Sequence, residues 1–169
     1  LYQGIDSRIQ AIQNAAYARV YGMQWSLDAQ LGSRWILTTR MNLQKGEEEL
    51  DNGAISPSRH AAPYFGESSL SYEHNSWSGI LIHRFQGTKL HSQMAITERG
   101  KTELYALNAE NLTYAPSWGV WNLVGKYEIA DRGNILLKVE NLTDQRYRPY
   151  SSGISAPGRS VQLGFSVHF

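Results

Sequence analysis

The segment Val161–Phe169 reads VQLGFSVHF and alternates apolar with polar or small residues up to its final position. Successive side chains of a β-strand point to opposite faces of a sheet, so alternation with a period of two predicts a strand with one apolar face. The apolar set is Val161, Leu163, Phe165, Val167 and Phe169. The segment ends on an aromatic residue, Phe169, and the patterns in the rest of the chain indicate a reason for this.

The same alternation recurs upstream. It predicts strands near residues 22–31, 35–44, 66–73, 76–87, 119–129 and 134–140, and a further strand near residues 1–10. About eight strands result, all joined in chain order, so the predicted fold class is all-β with an antiparallel up-and-down arrangement. In 76–87 the pattern leaves the orientation open, because Ile80 and Ile82 lie opposite Leu81 and Phe85.

Short and long connections alternate along the chain. Residues 31–34, 74–76 and 131–134 carry the Gly, Asn, Asp and Ser typical of tight turns, whereas the links 45–63, 88–117 and 147–158 are long. Outer-membrane β-barrels have this pattern, with short periplasmic turns and longer external loops. Trp35 and Trp77 follow tight turns, and Trp118 and Trp121 begin the strand after the longest link, which predicts aromatic belts at both membrane interfaces.

The two predicted faces have different roles in such a barrel. The apolar face would contact lipid, and the polar face would line the interior. The inward set would comprise Gln24, Asp28, Arg40, Lys126, Glu128, Lys138 and Glu140. The alternative is that the five Trp residues and the apolar face form the core of a soluble sandwich.

Composition and motif content exclude several classes of function. The 169 residues carry a net charge of +1 and form no basic block, so no nucleic-acid partner is predicted, and the absence of Cys excludes disulfides and thiolate metal sites. No run of about 18 apolar residues predicts a transmembrane helix. The five His residues form no i, i+4 metal pair, and no Ser lies in a nucleophile-elbow motif. We therefore predict no catalytic residues, no cofactor, no resident metal and no enzymatic activity.

The C-terminal third carries a more specific pattern. An Asn141-Leu142-Thr143-Asp144 run is followed by Tyr147, a Gly158-Arg159 pair and the strand that ends at Phe169. This ordered set resembles the C-terminal end of TonB-dependent outer-membrane receptors. Val20-Tyr-Gly22, with Gln24 where Glu is common, and His60–Gly66 resemble segments of the same family, the latter in its bacteroidete members.

The resemblance implies a fold and a location. In this family a 22-stranded transmembrane barrel encloses an N-terminal plug, and the protein resides in the outer membrane of Gram-negative cells. We expect residues 1–169 to be the C-terminal part of such a barrel, with the plug domain and the N-terminal strands outside it. Alone, this piece would be an open sheet with two unpaired edges.

The resemblance also implies a function and partners. The complete receptor would import a scarce nutrient with energy from the TonB complex, which acts through the absent plug region. The cargo would be siderophore-iron or haem, or else cobalamin or an oligosaccharide. Outer-membrane lipid and the barrel-assembly machinery would be further partners. The assembly signal would comprise Gln162, Gly164, Val167 and Phe169, since an unpaired strand edge can be captured by strand addition.

Candidate ligand contacts lie in the long link 88–117. Arg can meet an anionic chelate and Tyr can stack on an aromatic one, so the ligand-facing set is His91, Arg99, Tyr105 and Tyr114. The alternative is an ordinary exposed loop. Two other functions stay open: a soluble all-β binding or adhesion domain, and a complete eight-stranded outer-membrane barrel.

Overall fold

A computed structural model describes residues 17–167, apart from the side chain of residue 131. Its long strands agree with the predicted alternating segments, while the predicted strand near residues 1–10 and residue Phe169 lie outside the described range. The strands are β1 (Ala18–Gln30), β2 (Trp35–Glu49), β3 (Ile55–Pro57), β4 (Phe65–His74), β5 (Trp77–Gln86), β6 (Ala106–Leu107), β7 (Thr113–Tyr114), β8 (Trp118–Glu128), β9 (Gly133–Glu140) and β10 (Ser160–Val167). Short 3₁₀ turns span His91–Gln93 and Ala130–Arg132.

The long strands form one antiparallel meander in the order β1-β2-β4-β5-β8-β9-β10, with β3 paired to the far end of β2 and β6 paired only to β7. β2 runs five residues beyond the predicted strand because β1 pairs with it as far as Ala18 opposite Glu48. Within the described residues β1 and β10 are both edges of the sheet. The predicted open sheet is therefore confirmed.

All short connections lie at one end of the sheet and all long ones at the other. At the short-turn end, Gly32 (φ 85°) and Asn75 (φ 50°) supply the left-handed conformations that tight turns need. The predicted simple turn 131–134 is instead the 3₁₀ turn Ala130–Arg132, closed by a hydrogen bond from the Ile129 N–H to the Gly133 carbonyl. Gly133 is required there because a Cβ would lie 1.9 Å from the Ser166 carbonyl oxygen.

One face of the meander is apolar, and no other element of the described residues covers it. Register places Trp25 opposite Met41, Leu81 opposite Leu123, and Leu137 opposite Leu163 on this face. Phe165 is 70% exposed on it. Among the described residues, Val120 is the one buried apolar residue in a long strand, and the others lie in the connections, as Ala61, Met94, Ala95, Tyr105, Ala115 and Tyr150. A soluble sandwich would bury this face, and no described residue covers it, so the arrangement counts against that alternative.

Aromatic side chains border the apolar face at both ends. At the short-turn end, the Trp35 and Tyr72 ring centroids lie 4.6 Å apart and those of Trp77 and Tyr127 lie 4.5 Å apart. At the long-loop end, Trp121 stacks on His83 at 4.3 Å. The prediction for Trp118 is wrong, since register places it opposite Gln86 on the other face. Strand alternation explains this, because positions 118 and 121 differ by an odd number of residues.

The second face is polar, and the seven predicted inward residues share it. Ion pairs join Lys126 Nζ to Glu128 Oε1 at 2.7 Å and Lys138 Nζ to Glu140 Oε1 at 3.0 Å. Register also resolves β5. Leu81 is on the apolar face, whereas Ile80, Ile82 and Arg84 are on the polar one, where Arg84 Nε lies 2.6 Å from Glu67 Oε2. No helix among the described residues is long and apolar enough to cross a bilayer.

Candidate functional site

The three long connections pack together into a cap at one end of the sheet. We name them loop A (residues 50–64), loop B (87–117) and loop C (141–159). The Ile96 N–H of loop B donates to Ser56 Oγ of loop A at 3.1 Å, and Arg148 Nη1 of loop C donates to the Leu104 carbonyl of loop B at 3.0 Å. Met94, Tyr105, Ala115 and Tyr150 form the buried apolar centre of this cap. The loops are therefore an ordered layer with a core of their own.

A buried carboxylate joins loops A and B. Glu98 is 1% exposed, and its oxygens contact Arg59 Nε at 2.9 Å and Lys101 Nζ at 2.5 Å, while the Tyr105 hydroxyl donates to it at 2.6 Å. Burial alone would raise the pKa of this carboxyl, but the hydrogen bonds from Lys101 and Tyr105 and the charge of Arg59 hold the pKa below its ordinary value. Burial and the neighbouring Glu98 in turn raise the pKa of Tyr105.

A buried lysine lies on the other side of the same core. Lys89 Nζ donates to the Ala61 carbonyl at 2.5 Å and lies 5.2 Å from the centre of the Tyr150 ring. Burial lowers the pKa of Lys89 because the charged form loses its hydration. These contacts attach the start of loop B to loop A and place loop C against both.

The Asn-Leu-Thr-Asp run forms the base of loop C. Asn141 directly follows β9 and adopts the left-handed conformation (φ 51°), which Asn tolerates better than most residues. Its buried side chain donates to the Gln145 carbonyl at 2.9 Å and to the Pro157 carbonyl at 3.3 Å, and it accepts from the Gln145 N–H at 2.9 Å. The Leu142 N–H donates to the Trp121 carbonyl, and Thr143 is exposed.

Asp144 links this base to the Gly-Arg pair. Its Oδ1 accepts from the Arg159 N–H at 2.8 Å, and a Cβ on Gly158 would lie only 2.9 Å from the same oxygen. The Arg159 guanidinium extends back to the Leu142 carbonyl at 3.5 Å. The family-like motif residues thus close the two ends of loop C on each other, which gives them a structural part in positioning the cap.

A cavity of about 240 Å³ lies between loops B and C, and we name it the loop cavity. It lies on the polar-face side of the sheet, because Trp118 forms part of its wall. The wall also includes Tyr105, Tyr147, Arg148, Tyr150 and Ser155. Trp118 and Tyr147 stack with centroids 4.4 Å apart. Three residues of this wall each have one buried polar atom without a hydrogen-bond partner in the described part of the chain, namely Trp118 Nε1, Arg148 Nε and the Tyr150 hydroxyl.

The predicted ligand-facing residues are mostly engaged inside loop B. His91 Nδ1 contacts Thr113 Oγ1 at 3.1 Å, and Arg99 donates to the Met94 and Ser92 carbonyls, each at 3.1 Å. Tyr105 is buried against Glu98, and its ring reaches the loop cavity. Tyr114 is half-buried in β7 and lies with His91 at a separate cleft of about 370 Å³. Direct ligand contact by these four residues stays a prediction.

Sequence reasoning missed Glu98, Trp118, Arg148 and Tyr150. A signal for two of them existed, because Arg148 and Tyr150 follow the Asn-Leu-Thr-Asp run closely and so belong to the same loop base. Glu98 carried none, since one acidic residue in a long loop ordinarily predicts a solvated surface.

The predicted assembly signal lies on the last described strand. Gln162 is paired with Lys138 and Gly164 with Leu136 across the β9–β10 ladder, and Val167 is on the apolar face opposite Gly133. Phe169, the fourth residue of the signal, lies outside the described residues. Among the described residues the outer edge of β10 pairs with no other strand, as strand addition requires, and recognition by an assembly machinery stays a prediction.

No family model matches the chain. Solved structures do match its fold. The copper transporter OprC is 18% identical with a TM-score of 0.66, over 85% of this chain and 22% of its own. The FrpB iron transporter from Neisseria meningitidis (F3-3 variant) is 16% identical with a TM-score of 0.66, over 90% of this chain and 24% of its own.

The ferric yersiniabactin uptake receptor FyuA from Yersinia pestis is 17% identical with a TM-score of 0.59, over 94% of this chain and 23% of its own. These proteins are TonB-dependent receptors. The chain has the fold of part of a TonB-dependent receptor barrel. By their titles the matched proteins are transporters and receptors, which agrees with the expectation that the chain is not an enzyme. The chain spans about a quarter of the length of these receptors, so the activity of a whole receptor is a matter for proposal.

Proposed function

We propose that the chain is the C-terminal part of a TonB-dependent receptor in the outer membrane of a Gram-negative cell. The observation that supports this most is the uncovered apolar face of the seven-stranded meander, bordered by aromatic pairs at both ends. Trp77 and Phe85 are eight steps apart along β5, which corresponds to about 27 Å at the usual rise per residue of a strand. At the usual strand tilt this corresponds to a band of about 20 Å, close to the apolar band of outer-membrane barrels.

In this proposal the short-turn end faces the periplasm and the cap of loops A, B and C faces outward. Bacterial outer-membrane barrels have short periplasmic turns and long external loops, which matches the segregation of the connections. The charged polar face lines the interior, where a plug domain supplied from outside residues 1–169 would contact Arg40, Lys126, Lys138 and Glu140. TonB would act through that plug.

The proposed cargo is a scarce nutrient, with a metal chelate such as siderophore-iron or haem ranked ahead of cobalamin or an oligosaccharide. The titles of the matched proteins name copper, iron and ferric yersiniabactin, which supports a small-molecule cargo of this kind without choosing among them. Residues 1–169 would supply barrel wall, external loops and, at Gln162, Gly164, Val167 and Phe169, the signal for the barrel-assembly machinery.

The test begins with the native gene product in purified outer membranes, detected through the segment Val161–Phe169. A product several times heavier than 19.1 kDa that migrates faster unheated than boiled, as folded barrels do, is expected. Deletion of the gene should then abolish energy-dependent uptake of at least one iron chelate. A product near 19.1 kDa would favour the small eight-stranded barrel, and absence from the membrane would overturn the proposal.

A further inference from the structure

A cleft of about 630 Å³ lies at the long-loop end of the sheet, beyond the start of β4, and we name it the rim notch. β2 pairs with β4 as far as Asn42 and with β3 from Glu47 onward, so no described strand lies beside residues 43–46 on that side. The residues that line the notch include Leu43, Lys45, Glu47, Tyr64, Lys89 and Ser92. The notch is therefore a gap in the rim of the sheet, between β2 and the start of loop B.

The rim notch opens on the apolar face of the sheet. Successive side chains of a strand alternate between faces, so Leu43 and Lys45 share the face of Met41, which is opposite Trp25. Leu43 is 42% exposed, Tyr64 is 48% exposed, and the side chain of Lys45 is 66% exposed, so all three are accessible at the mouth of the notch. A molecule that lies along the apolar face can therefore extend into the notch.

The position of Lys45 along β2 matches the outward border of a lipid-facing band. Trp35, which belongs to the aromatic border of the short-turn end, is ten steps from Lys45, about 34 Å at the usual rise per residue of a strand. At the usual strand tilt of about 40° this corresponds to about 26 Å across the membrane. The apolar band of outer-membrane barrels is about 25 Å tall. Lys45 therefore lies at the level where lipid headgroups begin.

The charge at the rim notch favours an anionic occupant. Two of its lining residues are basic, Lys45 and Lys89, and one is acidic, Glu47. Glu47 lies between two cations, since its Oε1 is 3.4 Å from Lys45 Nζ and Arg19 is opposite it across the β1–β2 ladder. Lys89 Nζ already donates to the Ala61 carbonyl, so Lys45 is the accessible cation. Its ammonium has three donors, and an anion that accepts from one of them gains a charge-assisted hydrogen bond.

We propose that the rim notch binds the negatively charged headgroup of an outer-membrane lipid through Lys45, with the acyl chains of that lipid on the apolar face beside Leu43. The volume of about 630 Å³ is within the roughly 300–1,000 Å³ of pockets that enclose a small molecule, so a whole headgroup fits. Tyr64 at the mouth has the apolar ring and polar tip that suit a boundary between lipid and water. The inference rests on the proposed function, because it requires lipid on the apolar face.

The probe is dioleoylphosphatidylglycerol, compared with dioleoylphosphatidylcholine, which has the same chains and no net charge. Native mass spectrometry of the purified full-length receptor in a neutral detergent measures the dissociation constant of the first bound lipid. Phosphatidylglycerol is expected to bind at least about fivefold more tightly than phosphatidylcholine. Lys45→Gln should weaken phosphatidylglycerol by about fivefold, the usual effect of one basic residue near anionic lipid, and leave phosphatidylcholine unchanged. Lys126→Gln is the matched control, because it removes the same charge from a similar Lys–Glu pair on the polar face, and it should leave both lipids unaffected.

Equal affinities for the two lipids, full affinity for phosphatidylglycerol in Lys45→Gln, or an equal loss in Lys126→Gln would each overturn the proposal. Displacement of phosphatidylglycerol by inorganic phosphate would also overturn it, since the site would then take a free anion and not a lipid. Faster migration of the unheated protein shows separately whether each variant is a folded barrel. Failure of the proposed function would appear in that migration and in the fractionation, whereas failure of the headgroup site would appear in a correctly folded receptor.

Discussion

Tyr105 donates a 2.6 Å hydrogen bond to Glu98. This carboxylate is almost fully buried within the loops that pack at one end of the single-layered sheet. Arg59 approaches the same carboxylate from loop A, so one acidic side chain connects two loops that are distant in sequence. The stability of the cap therefore depends on a charge network, whereas that of the sheet depends on its ladders and on the medium that covers its apolar face.

Replacing Glu98 with Gln should loosen the cap and leave the barrel folded. The change leaves Arg59 and Lys101 without their carboxylate, although both are partly exposed and can turn to solvent. We expect a loss of about 1–3 kcal/mol in local stability. Hydrogen exchange at the Ile96 amide, which bonds to Ser56, should accelerate roughly 5- to 150-fold by the same estimate. Exchange in β8 should not change, and unaltered exchange at Ile96 would refute the role of Glu98.

Acid should act on the same contact. The pKa of Glu98 is lower in the folded cap than its ordinary value of 4.5, so the folded state favours the charged form. Its contribution is complete above that ordinary value and is lost as the pH falls through the lower folded pKa. Exchange at Ile96, corrected for the intrinsic pH dependence, should therefore rise below about pH 4.5 in the wild type.

The Glu98→Gln protein is the control for this pH effect, because other carboxylates titrate in both proteins. The difference between the two should shrink as the pH falls through that range. A difference that stays constant down to pH 3 would show that protonation of Glu98 does not open the cap.

Gly158→Ala should destabilise the base of loop C. The added methyl would lie 2.9 Å from Asp144 Oδ1, so the carboxylate must move away from the Arg159 N–H that it accepts from. The expected cost is about 0.5–1.5 kcal/mol, the usual worth of one hydrogen bond. Hydrogen exchange at the Arg159 amide measures it.

Gly153→Ala in the same loop is the matched variant, because its methyl would meet nothing within 4 Å. Both changes reduce the freedom of the unfolded chain in the same way, so their difference isolates the contact with Asp144. Equal exchange rates in the two variants would rule out the close approach at Gly158.

The two faces of β10 should tolerate charge differently. Leu163 is on the apolar face opposite Leu137, and in a bilayer Leu163→Arg should cost about 2–4 kcal/mol near the midplane. Ser166→Arg places the same side chain on the polar face opposite Asn134 and should cost much less. Urea titration of the full-length receptor in lipid vesicles gives both values. A similar loss for both variants would mean that the apolar face does not contact lipid.

Much of the sheet was predictable from the sequence, because period-two alternation and turn residues are local signals. The alternation in Val161–Val167 and the turns near Gly32 and Asn75 gave strand boundaries within a few residues. β5 was ambiguous, since Ile80 and Leu81 are both apolar, and only the pairing of Leu81 with Leu123 decided its faces. The predicted face of Trp118 is wrong because the prediction rests on its place at the start of a strand. Its even position in the alternation puts it on the polar face, opposite Gln86.

The sequence by itself determined the amphipathic meander and the separation of short turns from long loops, because side-chain alternation and backbone turn preferences act between near neighbours. The packing of loops A, B and C into a cap was decided only by the tertiary structure. Glu98 and Arg59 lie 39 residues apart in sequence, and Trp118 and Arg148 lie 30 apart. These residues come together only when the ladders bring three loops to one end of the sheet, where ordinary surface residue types form a charge network and the wall of a cavity.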